Sequence, residues 1–159
     1  MIIDQEVQSV LDEVTSKAPV DVAAAARKLG VEIYAAGLAP KVSGVLVRDP
    51  SYKTASGFVI FVDQAEPAVR QRFTAAHELG HFVLHKDAVV HKNEDNYLLR
   101  SDGMSNRQEA EANRFAAALL MPLPLIEEAM KSGITSPKSL AAHFNVSEIA
   151  MSIRLGLVT

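Results

Sequence analysis

Two histidines four residues apart, His77 and His81, sit in an apolar helical stretch, and accommodating them constrains this chain more than any other feature. Across residues 73–84, Phe73, Ala76, Leu79, Gly80 and Leu84 mark the stretch as a helix to be buried against the protein. Buried imidazoles need partners. Residues i and i+4 share a helix face about 6 Å apart, so two imidazoles there can reach one ion at about 2.0–2.1 Å each. Glu78 completes the pattern His-Glu-x-x-His. It lies one step round the helix, too far off the shared face to be a third helical ligand, and is placed to act on a water as general base. Gly80 costs the helix roughly 1 kcal/mol against alanine, which is tolerable where another element must approach closely. The 159-residue chain has no cysteine, so a metal here has only His, Asp and Glu to hold it. The same absence excludes disulfide scaffolds, thiolate nucleophiles and Fe–S clusters.

The rest of the chain organises around that helix. Ile3, Val7, Val10, Leu11 and Val14 keep helical spacing, and Pro19 closes this first amphipathic helix. Asp21 is placed to cap a second helix over 22–29, with Gly30 just past its end. The period then changes. Residues 31–34, 44–48 and 57–62 are short, β-branched or aromatic, and separated by Pro, Gly and Ser clusters, which predicts three strands with a hairpin loop over 49–56. Pro67 suits the first turn of the His77 helix, which is expected to run to about His85. Residues 86–104 read as an exposed loop. Ser105 with Gln108 is a capping-box pair that opens a further helix ending at Met121-Pro122. Shorter helices follow, with Gly133 as a stop and Ser136-Pro137 as a start. The fold class is α+β: helices, a small three-stranded sheet, then helices carrying the chemistry.

A catalytic zinc site takes three protein ligands and leaves one position open. His85 lies eight residues from His77, about 80° round the helix, and does not comfortably share its ion. His91 and His143 are remote alternatives. Glu109 and Glu111 are better placed on the capped helix, but they lie about 200° apart and should not serve one ion. Glu109 is one turn from Asn113, so one of that pair could ligate while the other hydrogen-bonds a ligand imidazole. Glu111 suits a solvated first turn that complements the helix dipole.

Residues 139–155 read as helix, short turn, helix, with Ser147 as cap, and resemble the second and third helices of a helix-turn-helix. Leu140, Phe144, Val146, Ile149, Ile153 and Leu155 are expected to bury against each other. From residue 131 onward the charges are Lys131, Lys138 and Arg154 against Glu148, few for gripping phosphates, and the whole chain is net −3. A helical pair completing the core fits this better than direct DNA binding. The acidic start has no Lys or Arg before Lys17, and no apolar run is long enough to span a bilayer, which predicts a cytoplasmic protein without a membrane partner.

The blocks RFTAAHELGHFVLH and EAEANRFAAALLMP closely resemble the ImmA/IrrE family of zinc metallopeptidases. The order HExxH, Glu, then a polar residue four places on is also similar to the wider gluzincin pattern. This resemblance implies a helical zincin-type domain that binds Zn2+ through His77, His81 and Glu109. It implies Glu78 as catalytic base and Asn113 as the residue hydrogen-bonding a ligand histidine. Asn113 stands where gluzincins commonly have Asp, which should weaken the push on that histidine. The likeness covers most of the chain, more loosely in its N-terminal third. It suggests a peptidase core over 1–122 and a helical extension over 123–159 packed on it. By resemblance, the function is a zinc-dependent endopeptidase that cleaves a DNA-binding helix-turn-helix repressor and so derepresses genes. The rivals are a DNA- or repressor-binding regulator with a structural or sensory metal, and an inactive scaffold. For cleavage, residues 57–62 offer a strand edge to an extended peptide, and His85, Tyr97 and Arg100 are candidate oxyanion stabilisers.

Overall fold

The computed structural model describes residues 3–91, 99–100 and 104–158. Helix α1 (Gln5–Val14) starts where the Asp4 carboxylate accepts from the Glu6 N–H, and α2 (Val22–Lys28) where Asp21 accepts from the Ala24 N–H. The chain turns at Gly30, at φ +84°, straight into strand β1 (Val31–Ala36). Strands β2 (Gly44–Arg48) and β3 (Phe58–Asp63) form the expected antiparallel hairpin, in register from Gly44 opposite Val62 to Arg48 opposite Phe58. Their loop holds a short 3-10 turn, Pro50–Tyr52.

β1 lies parallel to β3 on its other side, so the sheet is mixed, with order β1-β3-β2-β4. This overturns the expectation that residues 57–62 present a free edge: β3 is central, paired with both β1 and β2. The unbroken run Phe58-Val59-Ile60-Phe61-Val62 carries the physical reason, since a strand apolar on both faces is a central one. The fourth strand, β4 (Leu99–Arg100), pairs antiparallel with β2 inside a segment expected to be loop. Residues 92–98 and 101–103 of that segment lie outside the described residues.

Helix α3 (Ala68–His91) packs across the sheet face that carries Phe58, Ile60 and Val62, with the Phe58 and Phe82 rings edge to face at 5.4 Å. Gly44 permits the approach. A Cβ there would lie 2.4 Å from Thr74 Cγ2 and 3.5 Å from Glu78 Cγ, so β2 runs directly beside the start of the His77 motif. The helix extends beyond the expected end at His85: it leaves helical geometry at that residue (φ −132°, ψ 15°) and then resumes.

Helix α4 (Asn106–Leu120) opens with the Ser105–Gln108 capping box and ends at Met121, as its sequence indicated. It packs closely on α3 at Gly80, where a Cβ would meet Phe115 Cδ1 at 3.0 Å and the Ala112 Cα and carbonyl oxygen at 3.2 Å. Helices α5 (Leu123–Lys131), α6 (Pro137–Phe144) and α7 (Glu148–Arg154) follow, with Gly133 at φ +102° and the Ser136 and Ser147 caps at the expected places. Their buried side chains belong to the same apolar cluster as those of the earlier helices and sheet. Arg72 on α3 donates to the carbonyls of Val20, Phe144 and Asn145, and Arg154 Nε donates to Met121 O at 2.9 Å. One packing expectation fails here. Ile149 and Ile153 are 72% and 51% exposed, whereas Met151 is fully buried, because that opposite face of α7 is the one turned to the core. Among the described residues no helix is long and apolar enough to cross a membrane.

Candidate metal centre

The close α3–α4 contact sets the geometry of the site. Gly80 lies between the two motif histidines' turns of α3, and Ala112 lies one turn after Glu109 on α4, so the helices meet where these side chains project. His77, His81 and Glu109 offer ligand atoms that all lie within 4.8 Å of one another, the group of its kind among the described residues. His77 Nε2 and His81 Nε2 are 3.1 Å apart. The Glu109 carboxylate straddles both, with Oε2 3.1 Å from His77 and Oε1 2.9 Å from His81. Ligand atoms at the corners of a tetrahedron about 2.0–2.1 Å from a zinc ion are about 3.3–3.4 Å apart, so this triangle is nearly the size a bound ion requires.

Proton placement supports a cation at this point. The Asn113 side-chain oxygen lies 2.7 Å from His77 Nδ1 and can only accept, so that nitrogen carries the hydrogen. Nε2 is then the nitrogen His77 turns toward the Glu109 carboxylate and offers to the group. His81 is 1% exposed. Burial, reinforced by neighbouring His77 and only partly opposed by Glu109, pushes its pKa down to about 4, which keeps the imidazole neutral and available as a ligand. The Glu109 side chain is 45% exposed, so the group opens toward solvent on that side. Two nitrogens and a carboxylate suit a borderline cation such as zinc.

Glu78 is buried and lies beside β2, adjacent in sequence to His77 and outside the three-residue group. Glu111 does not join Glu109. It is half-buried, with Oε1 3.6 Å from His85 Nε2, rather than the solvated acid expected from its position in the first turns of α4. His85 packs behind His81, with its Nδ1 3.0 Å from His81 Nδ1, the nitrogen turned away from the group. That placement removes it as an oxyanion stabiliser. Tyr97 lies outside the described residues, as do the side chains of Arg100 and His91, while His143 is exposed on α6. The i+4 spacing of His85 from His81 pointed to a place beside that ring, but the sequence held no signal for its pairing with Glu111.

Residues 26–156 match the family model described as the IrrE N-terminal-like domain, a peptidase family. The chain is 33% identical over 102 residues to the radiation response metalloprotease IrrE of Deinococcus radiodurans, spanning 64% of this chain and 30% of that protein. It is 29% identical over 118 residues to the metallopeptidase ImmA of Bacillus subtilis, spanning 73% of this chain and 64% of the relative. The chain thus spans from under a third to under two thirds of the lengths of these relatives. A solved structure of a Mycobacterium tuberculosis transcriptional regulator superposes with a TM-score of 0.60 at 17% identity, over 94% of this chain and 46% of that one, a likeness of fold.

Proposed function

The chain belongs to the IrrE N-terminal-like domain family of peptidases, and on that premise we propose that it is a zinc-dependent endopeptidase whose metal is held by His77, His81 and Glu109. The observation that carries this reading is the convergence of two imidazole nitrogens and one carboxylate from two helices, every pair 2.9–3.1 Å apart. Three protein ligands with a solvent-exposed side favour catalysis over a closed structural site. When bound there, zinc supplies a Lewis acid that polarises a carbonyl and brings the pKa of water to near 7.

The chain's own residues do the rest. Glu78 takes a proton from the attacking water and passes it to the leaving amine, a general base turned general acid. Asn113 holds the His77 ring in the tautomer that presents Nε2. The packing of α3 on β2 at Gly44 brings Glu78 against the sheet, where its side chain is buried. The substrate of this reading is a helix-turn-helix repressor. The C-terminal helices support protein docking over DNA binding, because α7 turns Ile149 and Ile153 outward while Arg154 is engaged with Met121 O. Residues 1–122 form the catalytic core in this reading, with 123–159 an extension packed on it.

The test is cleavage of a purified helix-turn-helix repressor by the zinc-loaded protein, followed by mass spectrometry. Glu78→Gln should retain one zinc per chain and lose at least about 100-fold in rate. Cleavage by Glu78→Gln at the wild-type rate would overturn the assigned chemistry.

A further inference from the structure

His81 has a partner on each of its ring nitrogens. Nε2 faces Glu109, and Nδ1 lies 3.0 Å from His85 Nδ1. Beyond it, His85 Nε2 is 3.6 Å from Glu111 Oε1, whose other charged neighbour is the exposed Arg107 at 3.8 Å. His85 is 8% exposed, and its Nε2 has no hydrogen-bond partner among the described residues. An orphaned buried donor in a native fold calls for a reason. The backbone gives a second indication: α3 departs from helical geometry at His85 itself (φ −132°, ψ 15°), although neither Pro nor Gly is there to cause it.

Two neutral rings in this contact can share their protons in two ways. A neutral His81 that presents a lone pair at Nε2 carries its hydrogen on Nδ1. That hydrogen goes to a lone pair on His85 Nδ1, so His85 carries its own on Nε2, facing the Glu111 carboxylate. The opposite arrangement leaves His85 Nε2 as a lone pair turned toward an anion and puts a hydrogen on His81 Nε2, where a ligand lone pair is needed. Glu111 therefore selects between the two arrangements electrostatically, even at a separation too long for a hydrogen bond.

We propose that His85, biased by Glu111, is a positioning residue that fixes the tautomer and ring orientation of His81 and so sets the affinity of the site for its metal. This rests on the reading of His81 as a ligand. The two histidines are then held by different devices, His77 by the amide oxygen of Asn113 and His81 by a second imidazole backed by a carboxylate.

The experiment is competition for Zn2+ against a chromophoric chelator, with circular dichroism on each metal-free variant and visible spectra of the Co2+-loaded forms. His85→Phe keeps a ring but removes the acceptor, and should weaken zinc binding about 10–100-fold and alter the Co2+ bands. His85→Asn places an amide oxygen near the position of Nδ1, and should restore most of the affinity and the wild-type Co2+ spectrum. Glu111→Gln should produce a smaller loss in the same direction. The proposal is overturned if folded His85→Phe binds zinc like the wild type, or if His85→Asn is as weak as His85→Phe. Should His85→Phe fail to fold, Glu111→Gln decides: a loss supports the proposal and unchanged affinity overturns it. His81→Gln separates the two readings, since wild-type affinity there sinks the ligand assignment itself, whatever the His85 variants show.

Discussion

Replacing Gly80 with alanine sets two known effects against each other at the contact that shapes the site. In a free helix the change is favourable by roughly 0.8–1.0 kcal/mol. Here the new Cβ would stand 3.0 Å from Phe115 Cδ1 and 3.2 Å from the Cα and carbonyl oxygen of Ala112. Comfortable carbon contacts begin near 3.5 Å. The Phe115 ring can tilt away, but the Ala112 backbone cannot, so α4 must retreat by a few tenths of an ångström. Overpacking of this kind costs about 1–3 kcal/mol, which leaves a net loss of up to about 2 kcal/mol, or up to about 8 °C in Tm for a domain this size. Glu109 lies one turn before Ala112 and moves with it, away from His77 and His81. Zinc affinity should fall about tenfold, equivalent to about 1.4 kcal/mol. Thermal melts of the metal-free protein and chelator competition read the two effects separately. A Gly80→Ala protein that melts higher and binds zinc unchanged would refute the close-approach argument, since helix propensity would then be the whole effect.

Other outcomes follow from the same geometry. Zinc at about 100 times its Kd should stabilise the protein by about 2.7 kcal/mol, raising Tm by about 5–11 °C; Glu109→Ala should abolish that rise in a calorimetric scan. Asn113→Leu removes the oxygen 2.7 Å from His77 Nδ1 and should cost about 10–100-fold in zinc affinity, measured by titration calorimetry. The metal-free protein should lose stability as pH falls from about 6.5 toward 4, because the unfolded chain takes up a proton that folded His81, with its pKa pushed down to about 4, refuses. The loss should reach about 3 kcal/mol at most, be absent above that range, and be diminished in His81→Gln, as urea melts at each pH would show.

Much of this architecture is written in local chemistry. Asp4, Asp21, Ser105, Ser136 and Ser147 each cap the helix they precede, since a side-chain oxygen before a periodic apolar run has a specific N–H to satisfy. The closeness of His77 and His81 follows from the pitch of one helix. Glu109 joins them across a helix pair, and the sequence bore on that through Gly80, whose cost in a helix interior pointed to close packing before any partner was known. Strand order was less accessible. The apolar run of β3 already marks a strand covered on both faces, but β1 and β4 are placed on either side of the hairpin by tertiary contacts with no local signature.

His85 shows why spacing arguments stop where they do. On a regular helix, the eighth residue from His77 turns about 80° away, and His85 lies outside the group of His77, His81 and Glu109. The i+4 spacing from His81 does bring the two rings together, but nothing in it gives a reason for Glu111, on the opposite side of α4 from Glu109, to lie 3.6 Å from His85. The backbone also leaves helical geometry at His85, with no Pro or Gly to announce it, so the pairing with Glu111 lay beyond what helical spacing can state.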